Sequence, residues 1–286
     1  MCNRKFTVVF ILLLSLFTNR VNSQGISLSN NAEVSIITVG PGTNLNDSFG
    51  HNGFRIKDES RNIDVIYDYG RYDFNTPNFY VKFAQGKLLY EIGSNNFDPF
   101  FNYYKKQNRW IKEQILNLNY SEKQALFTYL QTNVKPENKK YKYDFFYDNC
   151  STKIEDVITT VLKDKVSFNN GHIKTNKSHR DLIADYTKNQ KWGKFGIDLA
   201  LGSVIDKKAT KDDYKFLPDY IFYAFENATI KNNGEIKPLV KKTTTVLNAQ
   251  KLNPNNLEMQ YWYAVTLANN GELTAAKAIF REIFKR

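Results

Sequence analysis

Three short segments in the first quarter of the chain share one pattern. They are "AEVSIITVG" (residues 32–40), "HNGFRIKD" (51–58) and "NIDVIYDYG" (62–70). β-Branched and aromatic residues alternate there with polar or small ones, the two-residue period of half-buried strands. The links between them are short. "PGTNLNDSFG" (41–50) is rich in turn formers, and "ESR" is a tight hairpin connection. Strands joined this closely pair antiparallel, because a parallel pair needs a crossover of a dozen residues or more. "KLLYEIG" (87–93) and "RWIKEQILNL" (109–118) are further strand candidates.

Helical spacing interrupts and follows the strands. Pro77 can open a helix over 77–86 that Gly86 ends, and residues 97–108 carry Pro99 in a first turn. Residues 121–134 predict a helix capped by Ser121, with Ala125, Leu126, Tyr129 and Leu130 as its core stripe. A basic, aromatic connection without a clear period covers 135–149. The next helix is marked by Ile154, Val157, Ile158 and Val161, with Asn149 as its N-cap. Cys150 lies four residues before Ile154, in the first turn on the core-facing side. Further on, 167–177 reads as loop, 179–188 as a short helix, 192–210 as glycine-punctuated and mixed, and 217–230 as a helix with Pro218 near its start. The fold class is α+β, an antiparallel sheet packed on helices.

After a break at "KNNGEIKP", the tail over 253–286 has the cadence of a helical hairpin resembling one tetratricopeptide unit: Trp262, Ala264 and Leu267, a turn at "NNGE", then Ala275, Ala276, Ala278 and Ile279. A lone unit cannot bury its own face, so it is expected to dock on the main domain or on a protein partner.

The N-terminus reads as an export signal. Arg4 and Lys5 precede an apolar run, Phe6 to Phe17, that is too short to span a bilayer, and Val21 and Ser23 suit a cleavage site before Gln24. An uncleaved anchor is the alternative. The expected organisation is therefore a signal peptide at 1–23, a main domain at 24–230, and a linker with helical tail at 231–286. Removing Arg4, Lys5 and Arg20 takes the formal charge from +11 to +8. A basic exported surface suits anionic envelope partners, lipid headgroups included, and does not argue for nucleic acid. Aromatic residues make up 15% of the chain, which excludes a disordered composition.

Cleavage also removes Cys2 and leaves Cys150 as the single thiol. A thiol acting as nucleophile needs a lowered pKa, which a helix N-terminus favours, and a base within reach. There are three histidines. His172 and His179 lie in polar stretches and read as solvated surface. His51 opens a strand between Gly50 and Gly53, where small neighbours permit close approach, and is the better base. Asp68, Tyr67 or Tyr69 on the next strand could orient the imidazole, and Asp68 is preferred. The bland alternative is an inert buried cysteine. Three dispersed histidines and one thiol provide no metal-ligand spacing, and no glycine-rich loop leads into a helix in the nucleotide-binding pattern, so neither metal nor cofactor is expected.

"VSIITVGPGTNLNDSFGHNGFRIKD", "IDVIYDYGRYDFNTPNFYVKFAQGKLLYEIG" and "YKYDFFYDNCSTKIEDVI" together resemble the Lnb N-terminal periplasmic domain family, over residues 33 to 230. "SFGH" and "YDNC" are its most specific motifs. The resemblance implies a circularly permuted NlpC/P60 (papain-like) thiol fold and lipoprotein N-acyltransferase chemistry. Cys150 would carry an acyl group from a phospholipid donor to a lipoprotein N-terminus, with His51 as base; Asp68 remains the third member preferred from the neighbouring strand. The backbone N–H of Cys150 and its neighbours could hold the oxyanion, with Asn149, Tyr147, Ser48 and Gly50 as support; helix capping and packing are the competing roles for Asn149 and Tyr147. Relatives commonly continue into membrane-spanning segments, which this chain does not show, so "PFFNYYKKQNRW" (99–110) is a candidate for contact with the membrane surface. The rival functions are an NlpC/P60-like cysteine hydrolase acting on peptidoglycan or lipid esters, and a non-catalytic envelope binding module.

Overall fold

The computed structural model describes residues 25–73, 75–188, 190–232 and 234–248, with 261, 264–265, 267–268 and 273–283 of the tail. The expected signal peptide lies outside these residues, as do Trp262 and the "NNGE" turn.

The strands are β1 (Glu33–Val39), β2 (His51–Asp58), β3 (Ile63–Arg71), β4 (Leu89–Asn96), β5 (Ile111–Leu116), β6 (Lys140–Lys142), β7 (Val166–Ser167), β8 (Thr229–Asn232), β9 (Glu235–Pro238) and β10 (Val240–Leu247). The α-helices are α1 (Phe79–Ala84), α2 (Phe97–Lys106), α3 (Tyr120–Asn133), α4 (Thr152–Leu162), α5 (His179–Tyr186), α6 (Lys191–Leu201), α7 (Pro218–Glu226) and α8 (Leu273–Ile283). Seven strands form one sheet in the order β10-β5-β1-β2-β3-β4-β6, every neighbouring pair antiparallel. The protein is thus α+β with an antiparallel sheet, as its patterning requires. The three strands that define the pattern are adjacent, β1-β2-β3. Asn62, with φ 53°, turns the chain between β2 and β3.

Alternation along the strands sorts the core into two faces. Val34, Ile36, Phe54, Ile56, Tyr67 and Tyr69 face a cluster completed by Leu126, Leu130, Ile154, Ile158 and Phe225 of α3, α4 and α7. Ile37, Val39, Ile66 and Ile111 face the other way, against Phe97, Phe100 and Tyr104 of α2. A third cluster, built on Leu182, Ile183, Tyr214 and Phe216, lies beneath α5 and α6.

Several local expectations change. Asn119, not Ser121, caps α3: its side chain accepts from the Glu122 N–H while the Glu122 carboxylate accepts from the Asn119 N–H. Such a reciprocal pair satisfies two helix-end donors at once, which a serine two residues inside cannot do. Ala125 is exposed, and Phe127 takes its place in the core. Within 99–110, the candidate for membrane contact, Phe100 and Tyr104 are buried under the sheet, while Tyr103 stays 58% exposed. The connection over 135–149 contains β6, whose three residues are too few to show a period. The helix expected over 217–230 ends at Glu226, and its last residues enter β8. Residues 231–247, expected as linker, complete the β8-β9 hairpin and supply β10, which pairs with β5 in the main sheet. In the tail, Ala264, Leu267 and Ala276 are buried, and the rings of Tyr261 and Phe280 meet edge-on at 5.6 Å.

Candidate active site

The first turn of α4 is organised by Asn149. Its Oδ1 accepts from the N–H groups of Ser151 (2.7 Å) and Thr152 (3.0 Å), and Thr152 Oγ1 accepts from the Asn149 N–H (2.9 Å). Its Nδ2 donates to the carbonyls of Phe145 and Phe216, both at 2.8 Å. Asn149 is 3% exposed with both polar atoms committed. Its role in the structure is capping and anchoring, and it has no donor left for an oxyanion. The backbone N–H of Cys150, in the turn just ahead of the helix, has no hydrogen-bond partner among the described residues.

On the sheet side, β2 begins at His51. Gly50 enters it with φ +88°, and a Cβ there would lie 2.7 Å from the Val39 carbonyl oxygen, so the turn requires glycine. Ser48 is buried and ties the preceding loop, donating to the Asn44 carbonyl and accepting from Gln190 Nε2 at 2.9 Å each. Both residues shape the approach to His51 through the backbone.

His51 Nε2 lies 2.9 Å from Asp68 Oδ2. Gly53 makes room for this pair: a Cβ there would stand 3.3 Å from that of Asp68 and 3.0 Å from the Tyr67 carbonyl oxygen. Asp68 Oδ1 accepts two bonds from Arg71, from Nε at 2.9 Å and from Nη2. Tyr67 and Tyr69 point into the opposite face of the sheet, in the main core. With Nε2 committed to Asp68, Nδ1 is the ring nitrogen left for a thiol.

Cys150 comes over the end of β3 to meet that ring. Its Cβ would be 3.4 Å from a Cβ on Gly70, which sits at a break in the β3-β4 register with φ +91°. Cys150 and His51 are near enough for each to shift the other's pKa. Burial disfavours the thiolate, but His51, the Asn52 backbone N–H and the Ser151 hydroxyl outweigh it, and the thiol pKa is lowered. Burial likewise disfavours the imidazolium, and Tyr104, Cys150 and the Asp68 bond outweigh it, so the His51 pKa is raised well above its ordinary value. Burial would raise the Asp68 pKa, yet its bonds to His51 and Arg71 bring it down. All three directions favour a thiolate–imidazolium pair backed by a carboxylate.

A buried polar chain sets the spacing. Ser151 Oγ donates to Asn52 Oδ1 at 2.9 Å, and Asn52 Nδ2 donates to Thr38 Oγ1 at 2.9 Å. Ser151 and Asn52 each follow a member of the reacting pair in sequence. Tyr104 closes the imidazole's flank with ring centroids 6.4 Å apart. Arg109 lies under Tyr104, its guanidinium 4.7 Å from the ring centroid and its Nε donating to the Gly40 carbonyl at 2.7 Å.

The structure therefore brings together Cys150, His51 and Asp68 from the expected site, with Ser48 and Gly50 behind them. Tyr147 stands apart, 63% exposed, its ring 6.2 Å from that of Phe146. Arg71, Asn52, Ser151, Tyr104 and Arg109 escaped the sequence reading. Of these, Arg71 had a readable signal, a cation three residues from the preferred acid. The two remaining histidines are not alike. His172 is half-buried on a short 3-10 turn, whereas His179 is 5% exposed, 4.7 Å from the Phe146 ring and 6.2 Å from that of Phe216. Expected as solvated, His179 belongs to the third cluster, because its helix lays its first turn against those rings.

The family model of the Lnb N-terminal periplasmic domain matches residues 23–184. That is more than half of the 286 residues, and the chain belongs to this family. The match contains His51, Asp68 and Cys150 and ends within α5, short of the resemblance drawn to residue 230. Comparison with curated proteins and with solved structures gave no match. A periplasmic family fits a place in the cell envelope, and no helix among the described residues is long and apolar enough to cross a membrane.

Proposed function

We propose that the protein is a cysteine-dependent acyltransferase of the cell envelope, moving an acyl chain from a phospholipid to the N-terminal amine of a lipoprotein. The observation that carries this reading is the pairing of Cys150, at the start of α4, with His51, itself held by Asp68. In this mechanism His51 accepts the Cys150 proton. The thiolate attacks an ester carbonyl of the phospholipid, and the unpaired Cys150 N–H is one donor for the resulting oxyanion. Collapse breaks the ester C–O bond, the lysophospholipid leaves with the proton from His51, and a thioester remains on Cys150. The acceptor amine then attacks the thioester. His51 takes the amine proton and returns it to the departing sulfur, so an amide forms and the thiol is restored. A permuted papain-like arrangement, with histidine ahead of cysteine in the chain, accounts for the order of these residues.

The test is incubation of the exported chain with acyl-labelled phospholipid and a diacylated lipopeptide. The expected outcome is label in an amide on the peptide, with a hydroxylamine-sensitive acyl adduct on Cys150 when the peptide is omitted. Free fatty acid alone, or cleaved muropeptides, would replace this reading by the hydrolase. Unchanged lipid together with a Cys150 of ordinary reactivity would leave a binding module.

A further inference from the structure

Helix α6 turns its apolar residues outward. Trp192 is 86% exposed, Phe195 58% and Leu199 72%, and Val204 on the following 3-10 turn is 77% exposed. Spacings of three and four residues put the first three on one side of an eleven-residue helix about 16 Å long. Gly196 lies among them, and a Cβ there would meet nothing within 4 Å. The opposite side is conventional: Ile197 and Leu201 pack on the third cluster, and Asp198 pairs with Arg180 and Lys194. Single exposed apolar residues are ordinary, but four large ones along one helix and its next turn form a patch that marks a contact surface.

The flanking charge identifies the contact. Lys188 and Lys191 lie just before the patch and Lys207 and Lys208 just after it, all exposed. The acids interleaved with them, Asp198 and Asp206, are both held by Arg180. Lys188 reaches Asp185 at 3.4 Å and Lys208 the Asn176 carbonyl at 3.1 Å, both from exposed positions. Tryptophan and phenylalanine bracketed by exposed lysines match a lipid interface, where rings enter the headgroup boundary and ammonium groups meet phosphates.

We infer that α6 and the turn after it are the surface through which the protein docks on an anionic lipid bilayer. The helix is also coupled to the site. Gln190, immediately before it, donates to the Thr43 carbonyl at 2.7 Å and to Ser48 Oγ at 2.9 Å. Leu45 packs so closely on Gly193 that a Cβ there would stand 2.6 Å away. The loop thus gripped leads through Gly50 to His51. Docking on this face would bring lipid beside the base, which adds a route to the proposed reaction without depending on its chemistry.

The experiment is co-sedimentation of the exported chain with vesicles of phosphatidylethanolamine and phosphatidylglycerol. We expect binding that weakens at high salt and falls at least ten-fold in a Trp192→Ser, Phe195→Ser, Leu199→Ser triple variant. Charge reversal at Lys188 and Lys191 should cause a smaller loss. Circular dichroism and the alkylation rate of Cys150 should stay as in the parent, separating lost docking from lost folding or a lost site. Absence of vesicle binding by the parent, or equal binding by the triple variant, overturns the proposal. So does a parent dimer that the triple variant dissociates, which would make a second copy the occupant. Retained docking with no acyl transfer would leave this proposal standing and remove the reaction.

Discussion

Ser151 Oγ donates to Asn52 Oδ1 at 2.9 Å with both residues wholly buried. The bond joins the residue after the thiol to the residue after the imidazole, and so fixes how α4 sits against β2. Ser151→Ala leaves the Asn52 carbonyl oxygen buried and unpaired, which costs about 1–3 kcal/mol. Urea unfolding should register that loss. Acyl transfer should fall as well, since the reacting atoms lose their spacing, whereas Ser151→Thr should restore part of both. Unchanged transfer by the alanine variant would show that the pair is set elsewhere.

Asp68→Asn should narrow the pH profile. The carboxylate favours the imidazolium, so without it the His51 pKa falls and the alkaline limb of kcat/KM moves to lower pH. A weaker cation beside the sulfur lets the Cys150 pKa rise, so the acid limb moves to higher pH. The maximum should drop by about 10²–10⁴-fold. The same substitution affects stability with a definite sign. Asp68 has a folded pKa below its reference of 3.8, so its contribution is complete above that value and is lost as pH falls through the folded pKa. Melting temperatures of parent and variant should therefore converge below that reference.

Cys150 should be alkylated at pH 6 at least ten-fold faster than a free cysteine, of which only about 0.3% is thiolate there. His51→Ala removes the cation that overcomes burial and should bring the rate to or below that of the free thiol. Iodoacetamide kinetics read by mass spectrometry would decide this. Equal rates in parent and variant would mean that the imidazole does not activate the sulfur.

Asn149→Ala should destabilise by about 3 kcal/mol, roughly 1 for the lost cap and about 1 for each buried bond to a carbonyl. Tyr147→Ala, at an exposed position, should stay within about 0.5 kcal/mol of the parent. Denaturant midpoints for the two variants test whether capping, rather than chemistry, is what the "YDNC" asparagine contributes.

Gly50→Ala should cost about 1–3 kcal/mol, because alanine resists φ +88° and its Cβ would strike the Val39 carbonyl oxygen. The strain falls one residue before the base, so transfer should decline more than stability alone explains. Comparison of kcat at equal folded fraction would separate the two effects.

What could be read from the residues follows physical range. The period-2 segments β1 to β3 and helix α4 are local patterns and stand where alternation and helical spacing put them, although α4 begins at Thr152, with Ser151 at its N-cap, two residues after Cys150. The choice among Tyr67, Asp68 and Tyr69 needed the face of β3 that His51 shares, and alternation alone is silent on which face that is. Ser151 and Asn52 are 99 positions apart and ordinary in isolation. Their partnership exists only once α4 lies on the sheet. β10 was missed because a lysine- and threonine-rich run has no alternating apolar face of its own, and because pairing with β5 is a long-range event.

The two ends of the sheet are built from its least inviting strands. β6 is three residues long and carries exposed Lys140 and Lys142, and β10 presents exposed Lys241 and Lys242. An unpaired edge is a template for another chain, and short length or a row of lysines blunts it. A newly made chain meets other copies of itself before it folds, and these edges oppose pairing of one copy's sheet with the next. The same lysines that make β10 hard to recognise from its residues thus protect the protein from self-association.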